Sequence, residues 1–216
     1  MYLRDVMTTD VITISSNAHI IDAKKVMDAN KLQRIPVVDR GKLVGIITKK
    51  DLDKLSLPKP NPRDLLEWSY SVASLYKIPV KDVMHRDVVT ATPDMTVEEA
   101  VALAQSKKVG GLVVVEDREV VGIVTTNDFF YKILNKILGI GERGTRLEVV
   151  GGGEGSVLEE ILSCLNKSGQ RITTLHIYKV PGKAKKNVVI HLDSEDITPC
   201  VKDFEKKGYK VTIRKR

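Results

Sequence analysis

The chain has few of the residues that mark membrane, secreted or metal-binding proteins. It contains two cysteines and one tryptophan among 216 residues, and aromatic side chains make up only 5%. No apolar run approaches the roughly 18 residues that span a bilayer, and the residues after Met1 lack the apolar region of a signal peptide. We therefore expect a cytoplasmic chain without a membrane segment, in which Cys164 and Cys200 are buried thiols rather than a disulfide or a metal site.

Groups for catalysis are also scarce. None of the four histidines stands beside a nucleophile with a paired base. If residues 181–186 form a symmetric turn, His176 and His191 face each other across two strands, on the side opposite Leu175 and Ile177. A third ligand is missing, so we expect no metal. We also expect no catalytic residue, no catalytic cofactor and no enzymatic activity.

The charge is unevenly distributed along the chain. The net charge is +7, and residues 145–216 hold 14 Lys and Arg against 9 Asp and Glu. The basic positions include Lys183, Lys185 and Lys186 and the tail 214–216. Such a surface could attract nucleic acid, but aromatic residues for base stacking and a helix-turn-helix pattern are both absent there. A solvated basic surface is the interpretation that we favour.

The most informative feature of the sequence is an internal repeat. Residues 5–52 align without a gap on residues 82–129, at an offset of 77. The identical pairs include Asp5/Asp82, Met7/Met84, Gly45/Gly122, Thr48/Thr125 and Asp51/Asp128. A repeat of this length in a short chain usually means two supersecondary units that bury their apolar faces against each other. We therefore expect the functional site at the seam between the two copies.

Each copy has the same predicted order of elements. Residues 11–14 alternate as in a short strand, and the apolar positions from Ile20 to Met27 recur as in a helix. In the second copy this helix begins at a capping box of Thr96 and Glu99. Residues 35–38 and 43–47 flank a turn and predict a hairpin, after which a second helix begins.

This order, together with the phrases Asp-Val-Met, Ile-Pro-Val-Val-Asp and Gly-Ile-Ile-Thr-x-x-Asp, resembles the CBS domain. The resemblance implies an α/β (α+β) fold in which two CBS units, residues 1–56 and 79–141, pack as a pseudo-symmetric pair. Residues 57–78 would connect them.

The Gly-x-x-Thr-x-x-Asp phrase has two explanations. Thr48 with Asp51, and Thr125 with Asp128, satisfy a helix-capping pattern that requires no ligand. Alternatively, the free amides at a strand-to-helix junction suit a phosphate, and the glycine of each phrase allows close approach of the backbone. The CBS resemblance implies that the matching Thr contacts phosphate or ribose and that the matching Asp holds the ribose hydroxyls of an adenine nucleotide. We favour a ligand in at least one cleft.

The resemblance also implies which residues form the two clefts. The adenine is expected near the backbone of residues 11–13 or 88–90. The candidate nucleotide-binding residues are Val11, Ile12, Thr13, Arg34, Ile35, Pro36, Thr48, Lys49, Lys50, Asp51, His85, Arg86, Val88, Val89, Thr90, Gly111, Leu112, Thr125, Asn127 and Asp128. The implied regulatory ligands are AMP, ADP, ATP or S-adenosylmethionine.

The aligned positions predict that the two clefts differ. The first copy supplies Arg34, Lys49 and Lys50, whereas the equivalent positions of the second copy are uncharged. Arg and Lys hold phosphate through charge-assisted hydrogen bonds. We expect the cleft of the first copy to prefer AMP, ADP or ATP. The other cleft should take a less anionic adenosine compound or stay empty, although His85 and Arg86 could lend it charge.

The predicted connector has two parts. Its start, residues 57–62, is rich in proline and predicts an extended spacer. An apolar and aromatic stripe follows, which we expect to cover a core edge or a dimer seam. The stripe consists of Leu65, Leu66, Trp68, Tyr70, Val72, Leu75 and Tyr76.

A different pattern follows the second copy. An apolar helix over residues 130–138 ends in a glycine cap, and residues 145–216 predict the order βαββαβ of a ferredoxin-like domain. Its glycine turn and first helix resemble the ACT domain. ACT domains that bind amino acids usually carry Asp or Asn at the end of the first strand and Pro-Gly at the helix start. Here Gly153, Gly155 and Ser156 stand at those places, so we expect this domain mainly to dimerise.

A CBS pair followed by an ACT domain is similar to the acetoin-utilisation accessory proteins of bacteria. We expect a homodimeric regulatory protein in which an adenosyl ligand fixes the angle between the CBS units and so changes the surface shown to an unidentified protein target. Two alternatives remain open here. One is a DNA- or RNA-associated regulator that uses the basic C-terminal domain, and the other is a structural adaptor with empty clefts.

Overall fold

The structure is a computed structural model that describes residues 1–55, 74 and 77–215. The chain divides into two compact units, Met1–Phe129 and Phe130–Arg216. The proline-rich spacer from residue 57 onward and all seven residues of the predicted aromatic stripe lie outside the described residues. Among the described helices, none combines the length and the apolar character needed to cross a membrane.

The first unit contains the same set of elements twice. The first copy consists of a 3-10 turn (Leu3–Asp5), β1 (Ile14–Ser15), α1 (Ile20–Ala29), β2 (Arg34–Asp39), β3 (Lys42–Thr48) and α2 (Lys49–Lys54). The second consists of a 3-10 turn (Val80–Asp82), β4 (Thr90–Ala91), α3 (Val97–Ser106), β5 (Gly111–Glu116), β6 (Glu119–Thr125) and α4 (Thr126–Asp128). The predicted repeat is confirmed element by element.

The six strands of the first unit form one sheet in the order β1-β2-β3-β6-β5-β4. The first strand of each copy is parallel to its neighbour, and the predicted hairpins β2–β3 and β5–β6 are confirmed. The two copies meet at Lys42 and Glu119. This sheet order reads the same from both edges, as expected for a pseudo-symmetric pair.

The opening strand of each copy is shorter than predicted. Only Ile14 and Ser15, and in the second copy Thr90 and Ala91, pair with a neighbouring strand. The residues before them are drawn away, because the lead segments (residues 5–12 and 82–89) cross to the opposite copy. Thr8 forms an isolated β-bridge with β6, and the equivalent residue of the second copy, His85, forms one with β3.

The glycines of the repeated phrase make room for these crossing segments. A Cβ placed on Gly45 would overlap the Sδ atom of Met84, and a Cβ on Gly122 would overlap that of Met7. Each methionine therefore packs against the backbone of the other copy. This corrects the prediction that these glycines serve the approach of a ligand, since a side chain already fills the space.

The second unit has the predicted ferredoxin-like order. A π-helix (Phe129–Leu134) leads into α5 (Asn135–Leu138), which ends at Gly139 with a φ of 61°. The following elements are β7 (Thr145–Val149), α6 (Gly155–Lys167), β8 (Ile172–Lys179), β9 (Lys186–Leu192), α7 (Thr198–Lys206) and β10 (Val211–Lys215). The strands form an antiparallel sheet in the order β10-β7-β9-β8, so the βαββαβ prediction is confirmed. The π-helical geometry was not predicted.

The glycine turn after β7 is tightly packed. A Cβ on Gly152 would lie 2.7 Å from Ile161 Cδ1, and a Cβ on Gly153 would lie 2.7 Å from Ile177 Cγ2. Position 153 is where the ACT resemblance places an acidic or amide residue in amino-acid binders. The surrounding side chains leave no room for one without displacement.

The two histidines of the second unit do not face each other directly. His176 pairs with Val189 and His191 pairs with Thr174, because the hairpin turns one residue earlier than the symmetric turn that we assumed. Both do lie on the sheet face opposite Leu175, as predicted. Within the described residues, no group of three or more His, Cys, Asp or Glu could hold a metal ion.

Candidate functional site

Two equivalent threonine–aspartate pairs stand where each hairpin leads into the following helix. Asp51 Oδ2 accepts hydrogen bonds from Thr48 N at 3.0 Å and Thr48 Oγ1 at 2.5 Å. Asp128 Oδ2 accepts equivalent bonds from Thr125 N at 2.8 Å and Thr125 Oγ1 at 2.7 Å. The predicted capping role is therefore confirmed in both copies. It uses only one oxygen of each carboxylate.

The other oxygen of each carboxylate contacts a lead segment of the opposite copy. Asp51 Oδ1 lies 3.0 Å from His85 Nε2, and Asp128 Oδ1 accepts a hydrogen bond from Thr8 Oγ1 at 3.5 Å. Thr8 and His85 are equivalent positions of the repeat, 77 residues apart. The two sites thus share a design but differ in chemistry, because one carboxylate meets an imidazole and the other a hydroxyl.

The carboxylate of Asp51 is an anionic acceptor at neutral pH. Its residue is only 7% exposed. Burial raises the pKa of the Asp51 carboxyl, but hydrogen bonds from Thr48 and His85 outweigh burial and hold the pKa below its ordinary value. A negative charge is thereby maintained beside the seam between the copies.

A cavity of about 600 Å³ opens beside Thr48 and is called the Thr48 cleft. Its lining comes from both copies and includes Gln33, Arg34, Ile46, Thr48, Lys50, His85, Arg86, Asp87, Val88, Val89, Val109, Gly110 and Gly111. Eight of these residues were predicted from the sequence. Three Lys or Arg side chains and one Asp line this cleft. It lies in the size range of small-molecule sites, roughly 300–1,000 Å³.

A second cavity, of about 280 Å³, opens beside Thr125 and is called the Thr125 cleft. Its lining includes Thr8, Asp10, Val11, Ile12, Lys31, Leu32, Gln33, Arg34, Pro36, Gly110, Ile123, Thr125, Thr126, Asn127 and Asp128. Seven of these residues were predicted. Two Lys or Arg side chains are balanced here by two Asp. The charge expected here from His85 and Arg86 does not reach this cleft, because both residues line the Thr48 cleft, which is the more positive of the two.

Several predicted residues line neither cavity. Ile35 and Leu112 are fully buried in the core, because they point to the opposite face of their strands. Lys49 is turned away, and its Nζ lies 3.1 Å from Asp28 Oδ1. Thr13 and Thr90 also lie outside both linings. Asp51 borders the Thr48 cleft through its bonds to the lining residues Thr48 and His85.

Other lining residues were missed by the sequence reasoning. They include Gln33 and Gly110, which line both clefts, and the pair Asp10 and Asp87 at equivalent positions. The identity of Asp10 and Asp87 in the repeat was a usable signal. It was not used because the crossing of the lead segments, which brings these residues to the clefts, is not visible in the sequence.

Two α/β copies that exchange their lead segments and enclose two equivalent clefts define a tandem CBS module. The CBS-domain family model matches residues 3–57 and 80–135, just over half of the chain. The chain belongs to the CBS-domain family.

Relatives of known sequence share the same part of the chain. An uncharacterized protein of Methanocaldococcus jannaschii, MJ1426, is 32% identical over 155 residues, which is 62% of this chain and 92% of that protein. The L-aspartate semialdehyde sulfurtransferase of the same organism is 35% identical over 129 residues, 58% of this chain but only 22% of the enzyme. This chain therefore spans about a fifth of that enzyme.

Solved structures agree with the fold. A putative acetoin utilization protein from Vibrio cholerae is 29% identical with a TM-score of 0.52, covering 62% of this chain and 91% of that one. The CBS domain pair of protein MJ0100, solved in complex with 5′-methylthioadenosine and S-adenosyl-L-methionine, is 30% identical with a TM-score of 0.51. That similarity covers 63% of this chain and 98% of the pair.

Proposed function

We propose that this chain is a regulatory protein whose CBS pair binds an adenine nucleotide or another adenosyl compound. The observation that carries the proposal is that the two carboxylate oxygens of each aspartate contact different parts of the molecule. Oδ2 caps a helix, while Oδ1 of Asp51 and of Asp128 reaches a lead segment of the opposite copy. A carboxylate oxygen at a seam is suited to accept hydrogen bonds from the two hydroxyls of a ribose. The adenosyl ligands of the similar MJ0100 pair support this assignment.

The two clefts favour different ligands. The Thr48 cleft is the larger, and Arg34, Lys50 and Arg86 outnumber the single carboxylate of Asp87 in its lining. We assign AMP, ADP or ATP to it, because a cationic lining stabilises phosphate. The Thr125 cleft is smaller and its charges balance, so it should bind AMP more weakly than the Thr48 cleft does and favour a less anionic adenosyl compound such as S-adenosylmethionine.

The proposed mechanism is a shift between arrangements of the two copies. A ribose at Asp51 would compete with His85 for the same carboxylate oxygen. Binding would thereby change how the lead segment sits on the opposite copy. The shift is limited by the difference in ligand affinity between the two arrangements. The proposal gives the chain no reaction of its own, and its target is an unidentified protein.

A melting experiment on the full chain tests ligand binding. At a ligand concentration 100 times the dissociation constant, binding stabilises a protein by about 2.7 kcal/mol, which raises Tm by about 5–10 °C for a chain of this size. AMP, ADP, ATP, NAD, 5′-methylthioadenosine and S-adenosylmethionine form the panel, with cytidine monophosphate as the control. If none of the adenosyl compounds raises Tm above the control, the proposal fails and a structural adaptor is the better interpretation.

For residues 145–216 we propose an ACT-like domain that holds a homodimer. Strand β8 is an edge of its sheet, and its side chains Ile177 and Tyr178 are 42% and 39% exposed. An apolar edge strand is a template for pairing with another chain. A second copy of this chain, joined edge to edge through β8, is the occupant that we propose.

Light scattering on the full chain tests the dimer. We expect Ile177→Lys to convert a dimer into a monomer, because a charge on the apolar edge opposes pairing. Ile213→Lys is the matched control, since Ile213 is equally exposed, at 42%, on the opposite edge strand β10. A monomeric wild-type chain at micromolar concentration would refute the dimer, and dimers that survive Ile177→Lys would refute the β8 contact.

A further inference from the structure

The side chain of Arg34 lies at the seam between the two clefts and lines both. Among the Lys and Arg residues of the two described linings, it is the one present in each. Its guanidinium rests against the backbone at the start of β5. A Cβ on Gly110 would lie 2.7 Å from Nη2, and a Cβ on Gly111 would lie 2.7 Å from Nη1.

Among the residues that the structure describes, the guanidinium of Arg34 has no carboxylate partner. None of the ion pairs among the described residues includes it, and its Nε is buried without a hydrogen-bond partner there. Burial lowers the pKa of Arg34, but a guanidinium stays protonated at neutral pH. A half-buried cation without a counter-ion is costly, so an anion from solution would relieve the cost. Lys49 differs, since Asp28 already neutralises it.

The repeat explains why the second copy has no counterpart of Arg34. Position 111 is equivalent to position 34, and it is a glycine. The Arg34 guanidinium occupies the space over that glycine, so a large side chain at 111 would collide with it. Of the described Lys and Arg residues, Arg34 is therefore the one that lines both clefts, between the carboxylate sites at Asp51 and Asp128.

We propose that Arg34 is one phosphate-binding residue shared by both clefts, so that a phosphorylated nucleotide in one cleft weakens the binding of a second in the other. This inference rests on the proposed binding of adenosyl ligands. A planar guanidinium pairs with one phosphate through two parallel hydrogen bonds, and it cannot do so in two directions at once. The coupling is reciprocal, and couplings of this kind are typically about 5–150-fold.

Calorimetry on single-cleft proteins tests the sharing. Asp128→Asn leaves the Thr48 cleft as the strong site, and Asp51→Asn leaves the Thr125 cleft. In each background we expect Arg34→Gln to weaken AMP binding by about tenfold or more while adenosine binding changes less than about twofold. In the protein with both aspartates, the second AMP should bind at least about fivefold more weakly than AMP binds the same cleft alone.

Lys50→Gln is the matched control, because Lys50 lines only the Thr48 cleft. It should weaken AMP binding in the Asp128→Asn background and leave the Asp51→Asn background unchanged. Arg34→Lys keeps the charge without the planar fork, so it should weaken AMP binding in both backgrounds by less than Arg34→Gln does. This variant also tests the inference if Arg34→Gln fails to fold.

The outcomes separate the two proposals. If neither AMP nor adenosine binds the wild-type chain, the proposed function itself fails. If both bind, and the Arg34 substitutions affect AMP in only one background or in neither, the shared residue is refuted while adenosyl binding stands. Equal AMP affinity for a cleft alone and for the same cleft beside an occupied one would refute the coupling.

Discussion

Replacing Asp51 by Asn separates the capping role of this residue from its proposed ligand role. The substitution keeps the volume and removes the charge. In the wild-type chain, Oδ2 of the Asp51 carboxylate accepts two hydrogen bonds from Thr48, at 3.0 and 2.5 Å. The amide oxygen of Asn would accept the same bonds more weakly. Loss of a cap costs about 0.5–2 kcal/mol, so we expect the free energy of unfolding to fall by about 1 kcal/mol.

The effect on ligand affinity should be larger than the effect on stability. Hydrogen bonds to a charged acceptor are worth about 1.5–3 kcal/mol, so adenosine should bind the Thr48 cleft roughly 10–150 times more weakly in Asp51→Asn. Asp128→Asn should do the same at the Thr125 cleft. Calorimetry with adenosine measures affinity, and urea denaturation of the same proteins measures stability.

Asp117→Asn is the control for this experiment. Asp117 is exposed in the β5–β6 turn with a φ of 48°, a conformation that Asn also tolerates. Asp117→Asn also removes one negative charge, but at a position away from both clefts. Neither the affinity for adenosine nor the free energy of unfolding should therefore change. If the double substitution of Asp51 and Asp128 lowers stability but leaves adenosine affinity as in the wild type, the aspartates are helix caps only.

Three further predictions follow from the packing and the pKa directions. Gly45→Ala should destabilise the fold by about 1–3 kcal/mol, because the new methyl group meets Met84. Gly155→Ala is the control and should not destabilise the fold, because its methyl group meets nothing within 4 Å. Equal urea midpoints for these two variants would contradict the prediction. The pKa of the Cys164 thiol is raised to about 11, mainly by burial and then by the neighbouring Cys200 and Asp203. Iodoacetamide at pH 8 should therefore react with Cys164 much more slowly in the folded chain than in the urea-unfolded chain. Equal reaction rates would refute this prediction. Because the pKa of Asp51 is lowered on folding, its ionised form stabilises the fold above the ordinary carboxyl pKa of about 4, and this stability is lost as pH falls through the lowered value. The stability gap between wild type and Asp51→Asn should therefore narrow in acid, and a gap that widens would contradict the sign.

The sequence predicted the elements well because their signals are local. The period of α1, the turn before β3 and the capping boxes each depend on residues within one or two turns of the chain, and the structure confirms them. The internal repeat also predicted that the two copies pair with each other. The ferredoxin-like order of residues 145–215 was read in the same way.

The errors concern contacts between parts of the chain that are distant in sequence. Gly45 was expected to let a ligand approach the backbone closely, but the side chain that lies against it is Met84 of the opposite copy. Lys49 was assigned to phosphate, but Asp28 on α1 captures it. Arg34 was assigned to one cleft, but it lines both. In each case the deciding partner lies on another element, and a single sequence does not reveal how the lead segments cross.

A crystal structure of the full chain grown with AMP tests the central claim most directly. The account predicts AMP in the Thr48 cleft, with the ribose hydroxyls within hydrogen-bond distance of Asp51 and the phosphate on the guanidinium of Arg34. It also predicts that His85 has left Asp51 Oδ1, from which it lies 3.0 Å in the structure described above. AMP bound outside both clefts, or bound in the Thr48 cleft with its ribose away from Asp51, would contradict the account.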